Sequence, residues 1–143
     1  MEKIFASDKD IALILEDIPN EAYFKIILKK EFSEIGHIIY TFENDSIVGN
    51  LSYFLYEEYR GKGYAKKALE LFVKNFYKID NKDLYLSILP DNISSIKLAM
   101  SQKAELIGTV NIPANYVFSD DGKYDFANMY KIKIRKDKIK WEK

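Results

Sequence analysis

The 143 residues carry 22 basic and 22 acidic side chains, are 48% hydrophobic and 15% aromatic, and include no cysteine. Such a chain suits a single folded domain over residues 1–143 with its own core, and excludes a disordered tail. Zero net charge removes the electrostatic footprint of a general nucleic-acid binder, and the missing cysteines exclude disulfide scaffolds, thiolate nucleophiles and cysteine-ligated zinc.

The N-terminal stretch "MEKIFASDKDIALILEDIP" interleaves acids with its apolar residues and lacks the uninterrupted core of a signal peptide. No later segment is long and apolar enough for a bilayer span, so a cytoplasmic protein without a membrane partner is expected. Ser7 or Asp8 is read as the cap of a short helix reaching about Ile18, with Ile11, Leu15 and Ile18 on one face and Pro19 beyond its end. Asn20 is read as the cap of a second helix, in which Phe24, Ile27, Leu28 and Phe32 recur at helical spacing until Gly36.

From His37 the pattern turns extended. "HIIYTF" and "IVGNLSYFLY" flank the turn residues "ENDS", which predicts a hairpin. The second strand runs into "YEEYRGKGYAKKAL". From Ala65 a helical face follows through Ala68, Leu69, Phe72, Val73 and Phe76. "DLYLSIL" is the next strand, and Pro90-Asp91-Asn92 is a turn whose last residue caps a helix over "ISSIKLAMSQK". "ELIGTVNI" and "FANMYKIKI" read as closing strands, with a tight turn at "SDDG" between them.

The chemistry concentrates where strand gives way to glycines and helix. A helix start exposes N–H groups without intrahelical partners at the positive end of the helix dipole, which makes it a seat for anions. Gly61 and Gly63 keep that seat clear of side chains, and Arg60, Lys62, Lys66 and Lys67 surround it with positive charge. Phosphate is the expected guest, with a plain strand-to-helix turn as the ordinary alternative. The spacing matches neither a Walker-type loop nor the full Gly-x-Gly-x-x-Gly dinucleotide fingerprint.

Arg60-Gly61-Lys62-Gly63-Tyr64-Ala65 resembles the acetyl-coenzyme A loop of the GNAT superfamily of N-acetyltransferases, Arg/Gln-x-x-Gly-x-Gly/Ala, at every defined position. "LSILPDNISSIKLAM" resembles the family's second block, in which an asparagine, here Asn92, opens the next helix. With Ser95 three residues on, the wording is closest to the ribosomal-protein N-terminal acetyltransferase-like branch. The likeness covers roughly residues 47–110.

The resemblance implies an α/β (α+β) GNAT fold: a mixed, mostly antiparallel sheet flanked by about four helices. It implies transfer of acetyl from acetyl-coenzyme A directly to a primary amine, borne by a small molecule or a protein N-terminus. Carried over by position, Leu55, Tyr56 and Glu57 would pair through their backbone with the pantetheine arm. Gly61, Gly63, Tyr64 and Ala65 would give amides to the pyrophosphate, lined by Arg60 and Lys62, and Asn92 and Ser95 would meet the arm from the other side.

Two familiar catalytic positions are altered. Ala99 stands where many members have a proton-donating tyrosine, and Ser87 where many have a basic glutamate; Lys103-Ala104 replaces the Gly-Phe that often closes the block. Among Tyr53, Glu57, Glu58, Tyr85, Tyr116 and Ser95, we assign the proton to Ser95 or Tyr53 and the base to Glu57. Backbone N–H near Leu55 would meet the oxyanion.

Ordinary alternatives accompany these assignments: packing for any of the 11 tyrosines, and a solvated strand end for Glu57 and Glu58. His37 is the lone histidine and reads as a surface residue, so no metal site is expected. The altered positions motivate a rival reading, a non-catalytic acyl-coenzyme A-binding module, and a nucleotide-phosphate binder is a third. "KIKIRKDKIKWEK" reads as an edge strand and a soluble tail rather than a nucleic-acid arm, and "MYKIKI" is expected to pair across a homodimer.

Overall fold

The computed structural model describes residues 2–113 and 124–134. Tyr116, the expected turn at 119–122 and the tail beyond residue 134 fall outside the described residues. The chain order is β1 (Glu2–Ser7), β2 (Ile11–Ile18), β3 (Glu21–Leu28), β4 (Ser33–Asp45), β5 (Gly49–Leu55), α1 (Tyr64–Asn75), β6 (Leu84–Ile88), α2 (Ile93–Ser101), β7 (Glu105–Asn111) and β8 (Phe126–Ile132). Short 3-10 helices, Glu57–Tyr59 and Phe76–Lys78, precede and follow α1. The strands form one sheet in the order β1-β2-β3-β4-β5-β6-β8-β7. Its pairings are antiparallel. The expected class is met with two α-helices among the described residues instead of about four.

The difference lies in the first 36 residues, where both expected helices are strands. In β3, Ala22, Phe24, Ile26 and Leu28 are buried and the residues between them are half-buried, a period of two that the same apolar positions also permitted. Asn20 is no helix cap. Ile18 pairs with Glu21 across a two-residue turn in which Asn20 has φ 68°, and a proline followed by a left-handed asparagine is the chemistry of a type II turn. Asp8 does cap, but a turn: its Oδ1 accepts from the N–H groups of Asp10 (2.8 Å) and Ile11 (2.7 Å), turning β1 into β2. Gly36 ends no helix either. A Cβ there would lie 2.1 Å from the Phe54 carbonyl oxygen, so the glycine lets β4 close on β5.

The core lies between this sheet and α1. Ala68, Leu69 and Phe72 are buried on the helix, as its apolar spacing predicts, and Phe76 follows at its end. Phe72 meets Phe24 edge-on with centroids 5.0 Å apart, Phe5 lies 4.9 Å from Phe24, and Tyr40 lies 4.8 Å from Phe76. Tyr40 closes the cluster by donating its hydroxyl to Asp80 at 2.8 Å, which satisfies the one polar atom of a fully buried ring.

β5 joins two halves of the sheet unequally. With β4 it shares a ladder from Tyr40–Leu51 to Gly36–Leu55, but with β6 it shares the single pair Gly49–Leu86. Gly49 (φ 82°) makes that pair feasible, because a Cβ would sit 2.2 Å from the Tyr85 carbonyl oxygen. Asn50, buried beside it, donates to the Asp83 carbonyl (3.0 Å) and accepts from the Tyr85 N–H (2.7 Å). Pinned at its first residues only, β5 leaves β6 toward its C-terminal end and opens a split in the sheet. β8 is a further correction: it lies between β6 and β7, so the expected edge strand is interior and its hydrogen bonds are already used within the sheet.

Candidate active site

The split leads to a cavity of about 530 Å³ bounded by the end of β5, the glycine loop, α1 and the start of α2. Tyr53 and Leu55 border it from β5; Arg60, Gly61 and Gly63 from the loop; Asn92, Ser94 and Ser95 from α2. Gly63 is the N-cap of α1 at φ 83°, Gly61 has φ 76°, and a Cβ on either would meet no protein atom within 4 Å. The start of α1 receives no side-chain cap and carries no acid in its first turn. Its first N–H groups therefore face the cavity end uncapped, under the positive end of the dipole. Arg60 is held at this mouth: its Nε donates to the Leu55 carbonyl at 2.7 Å and its guanidinium lies 5.1 Å from the Phe54 ring centroid. Bare left-handed glycines, uncapped amides and a fastened arginine suit a phosphate-bearing ligand, which is the fit that coenzyme A requires here.

A second cavity, about 310 Å³, occupies the split itself between β5 and β6. Tyr53, Asn92 and Ser95 border both cavities and form their common wall. Asn92 caps α2, accepting from the Ser95 N–H at 3.3 Å and from the Ser94 hydroxyl at 3.3 Å, and so fixes where Ser95 starts the helix. Tyr53 reaches across from β5 to place its hydroxyl 2.9 Å from Ser95 Oγ and 3.3 Å from the Ser95 carbonyl. Burial pushes the Tyr53 hydroxyl up from its ordinary value, and the Ser95 hydrogen bond offsets part of the rise. The phenol is thus protonated throughout the neutral range.

Ala99 sits one turn beyond Ser95 on the same face of α2 and is fully buried, so no phenol stands where the resemblance places one. Ser87 lines the second cavity and donates its hydroxyl to the Ile47 carbonyl. Tyr85 lines neither cavity.

Of the residues expected from sequence, Tyr53, Leu55, Arg60, Gly61, Gly63, Tyr64, Ala65, Asn92 and Ser95 come together around the first cavity. Glu57 and Lys62 do not. The chain leaves β5 after Leu55 into the 3-10 helix, which carries Glu57 and Glu58 out to solvent, so Glu57 is not placed as a base against either cavity. Tyr56 also turns away: its N–H donates to the Ile35 carbonyl at 2.8 Å and its hydroxyl to Glu34 at 3.1 Å. Of the lysines expected around the seat, Lys66 lines the cavity and Lys62 does not; sequence reasoning missed the aliphatic wall that Ile26 and Ile38 supply from the strands first read as helix and hairpin.

The acetyltransferase (GNAT) domain model matches residues 3–105, well over half of the chain. The chain belongs to the GNAT family of acetyltransferases. Comparison of its sequence with curated proteins gives no match. Among solved structures, the ribosomal-protein-S5-alanine acetyltransferase from Vibrio fischeri is similar at TM-score 0.65 and 21% identity, over 80% of this chain and 62% of that one. The ribosomal L7/L12 alpha-N-protein acetyltransferase RimL is similar at TM-score 0.72 and 17% identity, over 92% of this chain and 98% of that one. Microcin C7 self-immunity acetyltransferase MccE, solved with acetyl-CoA and AMP, is similar at TM-score 0.61 and 17% identity, over 78% and 60%. At these identities the likenesses show the GNAT fold, and the chain spans less than two thirds of the length of the first and third of these proteins.

Proposed function

We propose that this GNAT chain is an N-acetyltransferase that uses acetyl-coenzyme A to acetylate a primary amine by direct transfer. The observation that carries the reading is the common wall of Tyr53, Asn92 and Ser95 between a cavity that ends at an uncapped helix start and a second cavity in the split sheet. When bound, acetyl-coenzyme A supplies an acyl group activated as a thioester. The amides of Gly61, Gly63, Tyr64 and Ala65 would hold its pyrophosphate, Arg60 and Lys66 would balance the charge, and Leu55 and Asn92 would meet the arm.

Tyr53 and Ser95 are assigned the proton. A leaving thiolate needs one, and the pair holds two hydroxyls at the wall with the phenol kept protonated by burial. No base is assigned, because Glu57 lies outside both cavities.

A second reading, a non-catalytic acyl-coenzyme A-binding module, draws on Ala99 and Ser87 at the two altered catalytic positions. Calorimetric titration with acetyl-coenzyme A against an ATP control, followed by thiol release over an amine panel, separates the two. Binding with multiple turnover establishes the transferase, binding without turnover of any amine favours the module, and no binding removes both.

A further inference from the structure

The second cavity shares the wall of Tyr53, Asn92 and Ser95 with the first, and its lining among the described residues is uncharged. Among the described residues β5 contributes Ser52 and Tyr53 to it, β6 contributes Ser87, and α2 contributes Asn92 and Ser95; the rest of the lining is aliphatic. The ionisable residues around the first cavity are Arg60, Lys66 and the two phenols of Tyr53 and Tyr64. Among the described residues no carboxylate or imidazole lines either space, and Glu57, Glu58, Glu70 and Asp91, which neighbour lining residues in sequence, lie outside both linings.

Two consequences follow from elementary chemistry. A nucleophilic amine must be neutral, and among the described residues no carboxylate or imidazole is aligned to remove the proton from an ammonium ion. A cationic amine would also enter a half-aliphatic, uncharged space whose described lining offers no counter-charge, a transfer that favours the uncharged form. The acceptor must therefore arrive neutral by its own acidity. An amine with a pKa of about 8 is roughly a tenth neutral at pH 7, whereas one near 10.4 is neutral at only a few parts in ten thousand.

Resting on the transferase reading above, we propose that the second cavity takes a weakly basic primary amine on an uncharged body, selected by the amine's own pKa, and not a polyamine or other strongly basic amine. Charge within the acceptor is discriminated against by the aliphatic part of the wall and by the lack of a counter-charge among the described lining residues.

The test uses the full chain, saturating acetyl-coenzyme A and a series of small uncharged primary amines of similar size and graded basicity: trifluoroethylamine, aminoacetonitrile, glycinamide and ethylamine, with spermidine added. Calorimetry of acetyl-coenzyme A alone reports the parent reading separately. At pH 7, glycinamide is expected to exceed ethylamine and spermidine in kcat/KM by on the order of 10-fold or more, the neutral-fraction ratio being partly offset by the greater intrinsic nucleophilicity of the stronger base. Each pH profile should rise to an inflection at the pKa of the amine used. A common inflection for all amines, faster turnover of ethylamine or spermidine at pH 7, or turnover of none despite tight acetyl-coenzyme A binding each overturns the proposal.

Discussion

The hydroxyl of Tyr53 stands 2.9 Å from that of Ser95, and this contact joins β5 to α2 beside the split where β5 and β6 part. It lies in the wall between two cavities, held from one side by the strand and from the other by a helix whose first turn Asn92 fixes. In the transferase reading, Tyr53→Phe removes the acid while keeping the ring. The expected result is a fall in kcat of about 10²-fold with the acetyl-coenzyme A dissociation constant changed little. Ser95→Ala should lower kcat by a similar factor, and the double variant by little more than either alone, because the two hydroxyls act as a unit. Single-turnover kinetics beside calorimetry checks this, and full activity in Tyr53→Phe would remove the phenol from the mechanism. The sign of the pH dependence follows from the raised Tyr53 value. Loss of activity through deprotonation of the acid should begin only above the ordinary tyrosine range near pH 10.

Gly63→Asp tests the anion seat. With φ 83° the position disfavours most side chains, but aspartate tolerates left-handed backbone better than most, and its Cβ would point into open space. The fold should survive with a loss of about 1 kcal/mol, while the new carboxylate meets the uncapped amides that the pyrophosphate would use. Affinity for coenzyme A should drop by at least about 10²-fold, as expected when like charge replaces a charge-assisted contact. Circular dichroism and calorimetry on the same sample separate the two effects, and unchanged affinity would remove the loop from the binding site.

Much of the site was legible because it is local. Gly61, Gly63 and Asn92 declare themselves by what only those residue types do at a helix start, and the structure puts Gly63 and Asn92 at the N-caps of α1 and α2. The N-terminal third was misread for a physical reason. In β2, Ile11, Leu13 and Leu15 are buried, yet Ala12 is buried as well, so the run lacks the clean alternation of a one-sided strand and Ile11, Leu15 and Ile18 also fit a helical face. Pro19-Asn20 held the arbitrating signal as a turn pair. What no local pattern carries is the partnership of Tyr53 with Ser95, 42 residues apart, or the exit of Glu57, which depends on β5 ending at Leu55.

Gly49→Ala probes the origin of the split. The added methyl would sit 2.2 Å from the Tyr85 carbonyl oxygen on a backbone with φ 82°, so β6 must withdraw or the strand must twist. Overpacking and left-handed strain together predict a destabilisation of about 3 kcal/mol. Because this pair is the sole ladder contact between β5 and β6, withdrawal also widens the second cavity, and KM for the acceptor should rise more than the acetyl-coenzyme A dissociation constant. Urea denaturation and steady-state kinetics report the two effects, and a stability equal to that of the unaltered chain would show that the pair is dispensable.

The tie between Asp10 and Lys67 gives a prediction in pH alone. Asp10 lies in the turn between β1 and β2, Lys67 lies in the first turns of α1, and their side chains form an ion pair that anchors the helix start to the N-terminal hairpin. The Lys67 hydrogen bond holds the Asp10 carboxyl below its ordinary value, and the Asp10 hydrogen bond holds the Lys67 ammonium above its own. For the lowered acid, the stabilisation is complete above the unfolded value of about 3.9 and is lost as pH falls through the folded one. For the raised base, it is complete below the unfolded value of about 10.4 and is lost as pH rises through the folded one. Asp10→Asn should therefore lower the melting temperature by a small, constant amount across the neutral range, and the difference should close toward both extremes of pH. The pair is solvent-exposed, so added salt should shrink the same difference. A gap that persists unchanged in acid would assign the effect of Asp10 to its turn rather than to Lys67, since the backbone of Asp10 also accepts from the Lys29 N–H at 3.0 Å.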